Sequence, residues 1–353
     1  MRDDIKVVDF FCGIGGLTHG LRKAKLNVVA GVDSDGSCKF AYEANNKGAQ
    51  FIENPIEDVT NQKIRSLLKD AKWKVFVGCA PCQPFSSYTK KTRRYTNTTS
   101  GWDLINVFME KIEAVKPDIV SMENVPRLIH RDIFDKFVKQ LEENGYYTKY
   151  GILNCVNYGI PQSRRRLVLL ASRRGEIELP APTDKRKTLK DVIYDLPKLS
   201  HGQEHKKDRL HVSARLKDIN LKRIKKSKPG GTWLDWPPSL RPECYKRQSG
   251  QTYKNVYGRL LWKKPAPTLT GQFYSYGTGR FGHPNQHRAL SLKEGALIQT
   301  FPKDYQFAPK DQKIYIPTIA KHIGNAVPVD LGTIIGKTIL AHIKEVNSHG
   351  IHI

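Results

Sequence analysis

The stretch that decides the fold is KVVDFFCGIGG, residues Lys6–Gly16, an apolar run that ends in closely spaced glycines. A helical pattern follows over Leu17–Lys25, and a second strand pattern over Val28–Val32 ends at Asp33. A strand, a glycine-rich turn and a helix place free backbone N–H groups beside a ligand, and an acid after the next strand can hold ribose hydroxyls. The pattern predicts an α/β nucleotide-type domain.

The glycine-rich turn departs from the dinucleotide-binding pattern. That pattern requires a glycine three positions after Gly15, where this chain has Thr18. The departure argues against NAD and favours a ligand without a pyrophosphate. A structural alternative, in which the glycines only make a tight turn, stays open for this motif alone.

Strand and helix patterns continue to alternate along the first half. Apolar runs at Val75–Val77, Ile119–Met122 and Leu167–Ala171 predict strands, and helical patterns cover Gln62–Ala71 and Leu104–Val115. This alternation predicts a parallel sheet with helices on both faces.

The alternation fails between Pro180 and about Phe281, where Lys, Pro, Gly, Tyr and Trp are frequent and no helical period is sustained. Apolar periodicity returns over 289–301 and again over 316–343, where we expect a helix that needs an apolar partner in the first domain. We therefore expect residues 1–180 to begin the α/β domain, 181–287 to form a smaller inserted domain, and 288–353 to return and complete the first.

Length and composition agree with two domains, since the chain has 353 residues and 39% hydrophobic residues. It has no run of about 18 apolar residues and begins with MRDD rather than a signal peptide, so we expect a cytoplasmic protein with no membrane partner. Six scattered cysteines predict single thiols rather than a disulfide framework, and no metal site is expected.

The net charge of +25 is distributed unevenly. Residues 1–180 carry +7, residues 181–287 carry +15 and residues 288–353 carry +3. A basic region of this size favours a polyanionic partner, nucleic acid before an anionic membrane. The alternative is a solvated lysine-rich face.

A second motif, GCAPCQPFS, follows the strand pattern at Val75–Val77. Prolines on both sides of Cys82 fix its backbone, which favours a nucleophilic thiol held at a defined place on a loop. Cys79 and Cys82 also form a C-x-x-C pair, so a redox pair remains an alternative, whereas zinc would need further ligands.

Charged residues mark two later strand ends. Glu123 follows the strand at Ile119–Met122, and in a parallel sheet it would share an edge with Cys82 and the glycine-rich turn. Arg164 and Arg166 enter the next strand on one side of it and suit an anion or a polar base edge. A solvated glutamate and a salt-bridged strand are the structural alternatives.

These motifs, in this order, resemble the DNA (cytosine-5) methyltransferase family over most of the chain. The matching segments are Phe11-x-Gly13-x-Gly15-Gly16, Pro81-Cys82-Gln83-Pro84-Phe85-Ser86, Glu123-Asn124-Val125, Gln162-x-Arg164-x-Arg166 and Gly324-Asn325-Ala326-Val327-Pro328. The resemblance implies a Rossmann-like S-adenosylmethionine-dependent methyltransferase fold, with residues 181–287 as an irregular target-recognition domain.

The resemblance also implies a mechanism. Cys82 would attack C6 of a cytosine flipped out of the duplex, Glu123 would contact N3 and the exocyclic amine, and Arg164 and Arg166 would position base and phosphate. S-adenosylmethionine would supply the methyl group to C5. The implied cofactor-binding residues are Phe11, Gly13, Gly15, Gly16, Asp33, Ile56, Leu104, Asn325 and Val327.

One position departs from the family pattern. Where many members have Gly-Asp-Ile, with the aspartate on the adenine amine, this chain has Asn54-Pro55-Ile56, so Glu57 or Asp58 would have to substitute.

The basic segment 87–101 after Cys82 is expected to close over DNA. The implied DNA-binding residues are Gln83, Ser86, Lys90, Lys91, Arg93, Arg94 and Arg259. We assign Trp233 and Trp236 to the core of the smaller domain in preference to base contacts.

We therefore expect a monomeric prokaryotic DNA cytosine-C5 methyltransferase in the nucleoid, with double-stranded DNA as substrate and a restriction endonuclease as its functional partner. The alternatives are a tRNA cytosine-5 methyltransferase, although its usual Cys-Phe-Thr tripeptide is absent, and a catalytically inactive DNA-binding relative. A redox protein would require Cys79, whereas methyl transfer requires only Cys82.

Overall fold

The computed structural model describes residues 4–81, 103–247, 250, 252 and 254–348. Its strands are β1 (Ile5–Phe10), β2 (Asn27–Asp33), β3 (Gln50–Glu53), β4 (Trp73–Gly78), β5 (Ile119–Asn124), β6 (Tyr147–Asn154), β7 (Gln162–Ser163), β8 (Arg165–Ser172), β9 (Glu204–His205), β10 (Asp208–Val212) and β11 (Ala266–Pro267). Its α-helices are α1 (Gly16–Lys23), α2 (Lys39–Asn45), α3 (Asn61–Leu67), α4 (Asp103–Val115), α5 (Asp132–Glu143), α6 (Lys190–Ile193), α7 (Asp218–Lys226), α8 (Glu243–Lys246), α9 (Leu292–Ile298), α10 (Ile316–Asn325) and α11 (Val329–Ser348).

The described chain divides into two compact units whose boundaries differ from the expected ones. The first unit comprises residues 1–154, 165–183 and 327–353, and the second comprises 155–164 and 184–326. Residues 288–326, expected in the return segment, therefore belong to the second unit. Within that unit α9 packs against α10 and β10, so the apolar residues over 289–301 are covered by elements of the second unit.

The first unit is built on a seven-stranded sheet in the order β3-β2-β1-β4-β5-β8-β6. The five strands from β3 to β5 are parallel, as predicted. Strand β8 runs antiparallel to both β5 and β6. Because the parallel strands share a direction, the carboxyl ends of β1, β2, β4 and β5 meet at one edge of the sheet.

The core of this unit lies between the sheet and its helices. Phe10 of β1 contacts Phe76 of β4 with ring centroids 4.9 Å apart, and Phe108 of α4 stacks on Phe137 of α5 at 6.2 Å. All four side chains are at most 1% exposed. The buried strands read as continuous apolar runs, as expected of a sheet covered on both faces.

Helix α11 lies in the first unit and packs on α1. A Cβ placed on Gly20 of α1 would lie 2.3 Å from the carbonyl oxygen of Val329, and one on Gly336 would lie 2.8 Å from Cβ of Ala24. The backbones approach too closely there for larger side chains. The single helix expected over 316–343 is two helices, because the chain turns at Ala326–Pro328, where proline cannot continue α10.

The stretch Ile316–Ser348 is long and apolar enough to span a membrane, and 61% of its 18-residue window is buried. Burial of that kind is typical of core helices, so composition alone is weak support for a membrane span.

The second unit has its own small core. Trp233 and Trp236 are at most 2% exposed and pack with Ile224 of α7 and Tyr276, which confirms their assignment to the core. The indole Nε1 of Trp236 donates to the hydroxyl of Ser227 at 2.7 Å. Both tryptophans therefore serve packing, with the polar atom of Trp236 satisfied inside the protein.

Candidate active site

The glycine-rich loop connects β1 to α1 in a conformation that most residues avoid. Phe11 has φ +60°, Gly13 has φ +50° and Gly15 has φ +83°. The positive φ of Phe11 is unusual for a bulky residue and is typical of a functional loop. A Cβ on Gly13 would meet no atom of the described residues within 4 Å, so none of those residues fills the space beside this backbone.

Asp33, at the end of β2, holds this loop in place. Its Oδ2 accepts a hydrogen bond from the Gly13 N–H at 2.8 Å, and its Oδ1 accepts one from the Asp35 N–H at 2.9 Å. The loop and the acid predicted from sequence are thus brought together.

Asp9 is a buried acid in β1 that the sequence analysis did not assign. Its side chain is 0% exposed, and its Oδ2 accepts a hydrogen bond from the Thr18 hydroxyl at 2.6 Å. The hydroxyl of Tyr42 lies 3.2 Å from the same Thr18 oxygen. Burial raises the pKa of Asp9 to about 7, and the charge of Asp33 adds to this rise. Thr18, which breaks the dinucleotide pattern, therefore serves as the partner of a buried carboxyl group.

The other residues implied for the cofactor lie in different parts of the chain. Ile56 is 3% exposed in a short 3₁₀ helix, Leu104 packs on the core from α4, and Val327 is 5% exposed at the start of the last segment. Asn325 is exposed at the end of α10, in the second unit. Glu57 and Asp58 are both exposed.

Glu123, at the end of β5, is 3% exposed and has two described side-chain partners. The thiol of Cys79 donates to its Oε2 at 3.0 Å. The Nε of Arg166 lies 2.9 Å from its Oε1, an ion pair that does not meet hydrogen-bond geometry. The structure therefore places Arg166 beside Glu123, a pairing that the sequence did not predict.

The segment that leads to Cys82 is anchored from both neighbouring strands. The Cys79 N–H donates to the Phe10 carbonyl at 3.3 Å, and the Asn124 side-chain amide donates to the Ala80 carbonyl at 3.3 Å. Cys82 follows Pro81 directly in the sequence but lies outside the described residues. Other predicted DNA contacts also lie outside them, namely Gln83, Ser86, Lys90, Lys91, Arg93 and Arg94.

Arg164 and Arg166 have different surroundings. Arg164 is 3% exposed, and its guanidinium donates to the carbonyls of Leu269, Gly324 and Ala326 at 3.1 to 3.3 Å. These contacts are all within the second unit, where Arg164 joins Leu269 to Gly324 and Ala326. The two arginines that were expected to position base and phosphate therefore differ, since Arg164 bonds to backbone carbonyls and Arg166 lies beside Glu123.

Gln162 bonds to the same part of the second unit. Its amide nitrogen donates to the side chain of Gln299 at 2.7 Å, and its amide oxygen accepts from the Leu269 N–H at 2.9 Å. Gln299 in turn donates to the carbonyls of Ile323 and Ala326. Sequence spacing alone could not reveal that these distant glutamines share a network.

Arg259 requires a correction, because it was expected to contact DNA. It is 4% exposed, and its guanidinium donates to four backbone carbonyls, those of Ile224, Ser227, His283 and Gln286. A guanidinium already occupied by carbonyls inside the protein cannot reach a phosphate. Its role in the structure is to join segments of the second unit.

The second unit carries most of the net positive charge. It contains 30 Lys and Arg against 11 Asp and Glu, a net +19, whereas the first unit carries 29 against 23, a net +6. Helix α7 is held by buried Ile224, and Lys222, Lys225, Lys226 and Lys228 on or just after it are exposed. The charge is therefore displayed at the surface of this unit.

The chain belongs to the C-5 cytosine-specific DNA methylase family, whose model matches residues 5–341. It is accordingly a DNA cytosine-5 methyltransferase.

Similar proteins support this assignment over nearly the whole chain. A Type II methylase of Herpetosiphon aurantiacus, M.HgiDII, is 49% identical over 339 residues, with 94% of both chains covered. The Type II methyltransferase M1.BsuMI of Bacillus subtilis is 30% identical, covering 93% of this chain and 79% of that protein.

Solved structures confirm the fold. A prophage-encoded E. coli protein described as a DNA modification methyltransferase has a TM-score of 0.74 at 19% identity, covering 96% of this chain and 99% of the other. The Dnmt2 methyltransferase of S. pombe has a TM-score of 0.61 at 17% identity, covering 97% and 99%. The first unit thus has the fold of S-adenosylmethionine-dependent methyltransferases.

Proposed function

We propose that this enzyme methylates C5 of a cytosine flipped out of a specific duplex DNA sequence, through a covalent bond between Cys82 and C6. The observation that carries the proposal is the buried Glu123 carboxylate, ion-paired to Arg166 at 2.9 Å and bonded to the segment that leads into Cys82. An acid, a base-positioning cation and a nucleophile segment therefore share one edge of the sheet.

Each residue has a role set by its chemistry. The Cys82 thiolate attacks C6 and forms an S–C6 bond, which leaves C5 enamine-like and nucleophilic. Glu123 contacts N3 and the exocyclic amine and stabilises the ring as that bond forms, while Arg166 holds the carboxylate. After C5 has gained its methyl group, loss of the C5 proton to solvent restores the double bond and expels the Cys82 sulfur.

The residues at the glycine-rich loop fit S-adenosylmethionine, which supplies an electrophilic methyl group at its sulfonium. No described residue fills the space beside Gly13, which leaves room for a ligand close to the backbone, and the Asp33 carboxylate suits ribose hydroxyls. Phe11, Gly15, Gly16, Ile56, Leu104, Asn325 and Val327 are the further proposed contacts.

Double-stranded DNA is the proposed substrate, and the second unit is its proposed reader. A net charge of +19 on that unit favours phosphate contacts and predicts a strong dependence of binding on salt. We further propose a monomeric cytoplasmic enzyme that works beside a restriction endonuclease, since several relatives are named Type II methylases or methyltransferases.

The proposal is tested in two stages. Expression in a host without cytosine methylation, followed by bisulfite sequencing, should reveal one methylated sequence context. A duplex with 5-fluorocytosine at that position should then give a denaturant-resistant adduct in the presence of S-adenosylmethionine, which Cys82→Ala abolishes and Cys244→Ala keeps. An adduct that persists in Cys82→Ala, or methylation of tRNA and not DNA, would contradict the proposal.

A further inference from the structure

Cys79 lies at the junction of three neighbouring strands. It follows β4 directly, its N–H donates to the carbonyl of Phe10 at the end of β1, and its thiol donates to Glu123 on β5. The sheet order places β4 between β1 and β5. Cys79 therefore connects β1, which leads into the glycine-rich loop, to β5, which carries Glu123. Its backbone makes the first contact and its side chain the second.

The contact with Glu123 is short for sulfur, with Sγ and Oε2 3.0 Å apart. A thiol is a weak donor, but a bond to an ionised carboxylate is stronger than one between neutral groups. Glu123 is 3% exposed, so water cannot easily replace a donor that is removed. Losing the thiol would leave Oε2 without this donor inside the protein.

The two described partners act on different oxygens of the same carboxylate. Arg166 contacts Oε1 and Cys79 contacts Oε2, so rotation of the carboxylate about its terminal bond is opposed on both sides. A carboxylate oxygen has two lone pairs, so one that already accepts from a protein donor can also accept from the exocyclic amine of the target base. The carboxylate is thus oriented before a substrate arrives, which is the condition for effective electrostatic catalysis.

We propose that Cys79 is a positioning residue for methyl transfer: with Arg166 it holds the Glu123 carboxylate in the orientation that meets the target cytosine. The inference rests on the proposed function, because it needs Glu123 to contact the base. It also gives Cys79 a task other than that of a redox partner for Cys82.

The test compares Cys79→Ala with Cys79→Ser in single-turnover methyl transfer at saturating DNA and S-adenosylmethionine. We expect Cys79→Ala to slow the chemical step about tenfold with KM values within about twofold, and Cys79→Ser to recover most of the rate because a hydroxyl can replace the donor. The exposed Cys244, in Cys244→Ala, is the matched control and should keep the parent rate. Equal rates in Cys79→Ala and the parent would overturn the inference, as would equal impairment of the alanine and serine variants.

A double-mutant cycle shows whether the effect passes through Glu123. In a Glu123→Gln background, the further change Cys79→Ala should alter the single-turnover rate by less than about twofold. A full additional tenfold loss would overturn the inference, since Cys79 would then act independently of Glu123. If Glu123→Gln itself retains the parent rate, the proposed function fails; if it is impaired while Cys79→Ala is not, only the role of Cys79 fails.

Vibrational spectroscopy gives a readout without activity. The S–H stretching band of Cys79, isolated as the difference between parent and Cys79→Ala, should lie at the low frequency of a strongly bonded thiol. It should move to higher frequency in Glu123→Gln, where a neutral amide replaces the carboxylate. A band at the frequency of a free thiol in the parent would overturn the inference.

Discussion

The Nε atom of Arg166 lies 2.9 Å from Oε1 of Glu123, across the antiparallel strands β8 and β5. Glu123 is paired in register with Val168, so Arg166 is its diagonal neighbour, two residues along β8 on the same face. The strand register itself therefore delivers a cation to the buried acid.

Removing that cation should affect catalysis more than binding. We expect Arg166→Ala to lower kcat by about 10²-fold, because the carboxylate loses the partner that fixes its orientation, and Arg166→Lys to recover it only in part. Arg165→Ala is the control, since Arg165 is exposed and neighbours Arg166 on the same strand. Steady-state methylation of the identified duplex measures both, and an unchanged kcat in Arg166→Ala would contradict the assigned role.

The buried carboxyl of Asp9 should leave a signature in the pH dependence of stability. Its pKa is raised from 3.8 to about 7 in the folded protein, so the unfolded chain releases this proton at lower pH than the folded one. The contribution of Asp9 to stability is therefore greatest at low pH and falls as the pH rises from 3.8 to about 7, by at most about 1.4 kcal/mol per pH unit.

Asp9→Asn cannot titrate, so its free energy of unfolding should rise relative to that of the parent over the same pH range. Urea unfolding at intervals from pH 4.5 to about 7.5 measures the difference. A difference independent of pH would show that Asp9 is ionised in the folded protein throughout.

The second unit contains an ion pair that should control its stability. Arg288 donates to both oxygens of Glu294 at 2.7 Å, and both side chains are 0% exposed. Burial acts to raise the pKa of Glu294, but the Arg288 charge outweighs it and lowers that pKa to about 2. Glu294→Gln leaves a buried guanidinium without its counter-charge and should cost about 3 to 5 kcal/mol of unfolding free energy.

This cost should also depend on pH. The stabilisation from ionised Glu294 is complete above 4.5 and is lost as the pH falls towards about 2, so the difference between variant and parent should shrink in that range. Glu243→Gln is the control, because Glu243 forms an exposed pair with Lys246 and should cost less than about 1 kcal/mol. Comparable losses in the two variants by urea unfolding would contradict this account.

Arg259 and the lysines of α7 should separate stability from DNA binding. Arg259→Ala leaves four carbonyls without their buried donor and should lower the free energy of unfolding by about 3 kcal/mol. Lys225→Ala should leave stability within about 0.5 kcal/mol and reduce the slope of log binding constant against log salt by about 1. If Arg259→Ala instead kept the parent stability and reduced the salt dependence of DNA binding, Arg259 would again be assigned as a DNA contact.

Sequence patterns predicted the helices and strands with strong apolar periodicity. They also predicted which strands end in charged or reactive side chains. The parallel part of the sheet and the proximity of Asp33 to the glycine-rich loop follow from local residue types and the shared direction of parallel strands. Trp233 and Trp236 were also assigned correctly, because large apolar rings are stabilised more by burial than by exposure.

The rest depends on contacts between residues that are distant in the chain. The antiparallel direction of β8 is not encoded in the apolar run that predicted it, because period and composition do not specify a neighbour. Arg259 is a residue type that commonly contacts DNA. Only the four backbone carbonyls around its guanidinium reveal a structural role. Likewise, Thr18 stands where the dinucleotide-binding pattern has glycine, and only its hydrogen bond to the buried Asp9 explains its presence.

The close contact between α1 and α11 links a helix at residues 16–23 to one at residues 329–348. During translation, the helix that opens from the glycine-rich loop must wait for residues 329–348 to leave the ribosome before its Gly20 face is covered. The contact between α1 and α11 therefore cannot form until residues 329–348 have been synthesised. A ribosome stalled before Val329 would hold a chain that has every proposed catalytic residue but lacks the packing of α11 on α1.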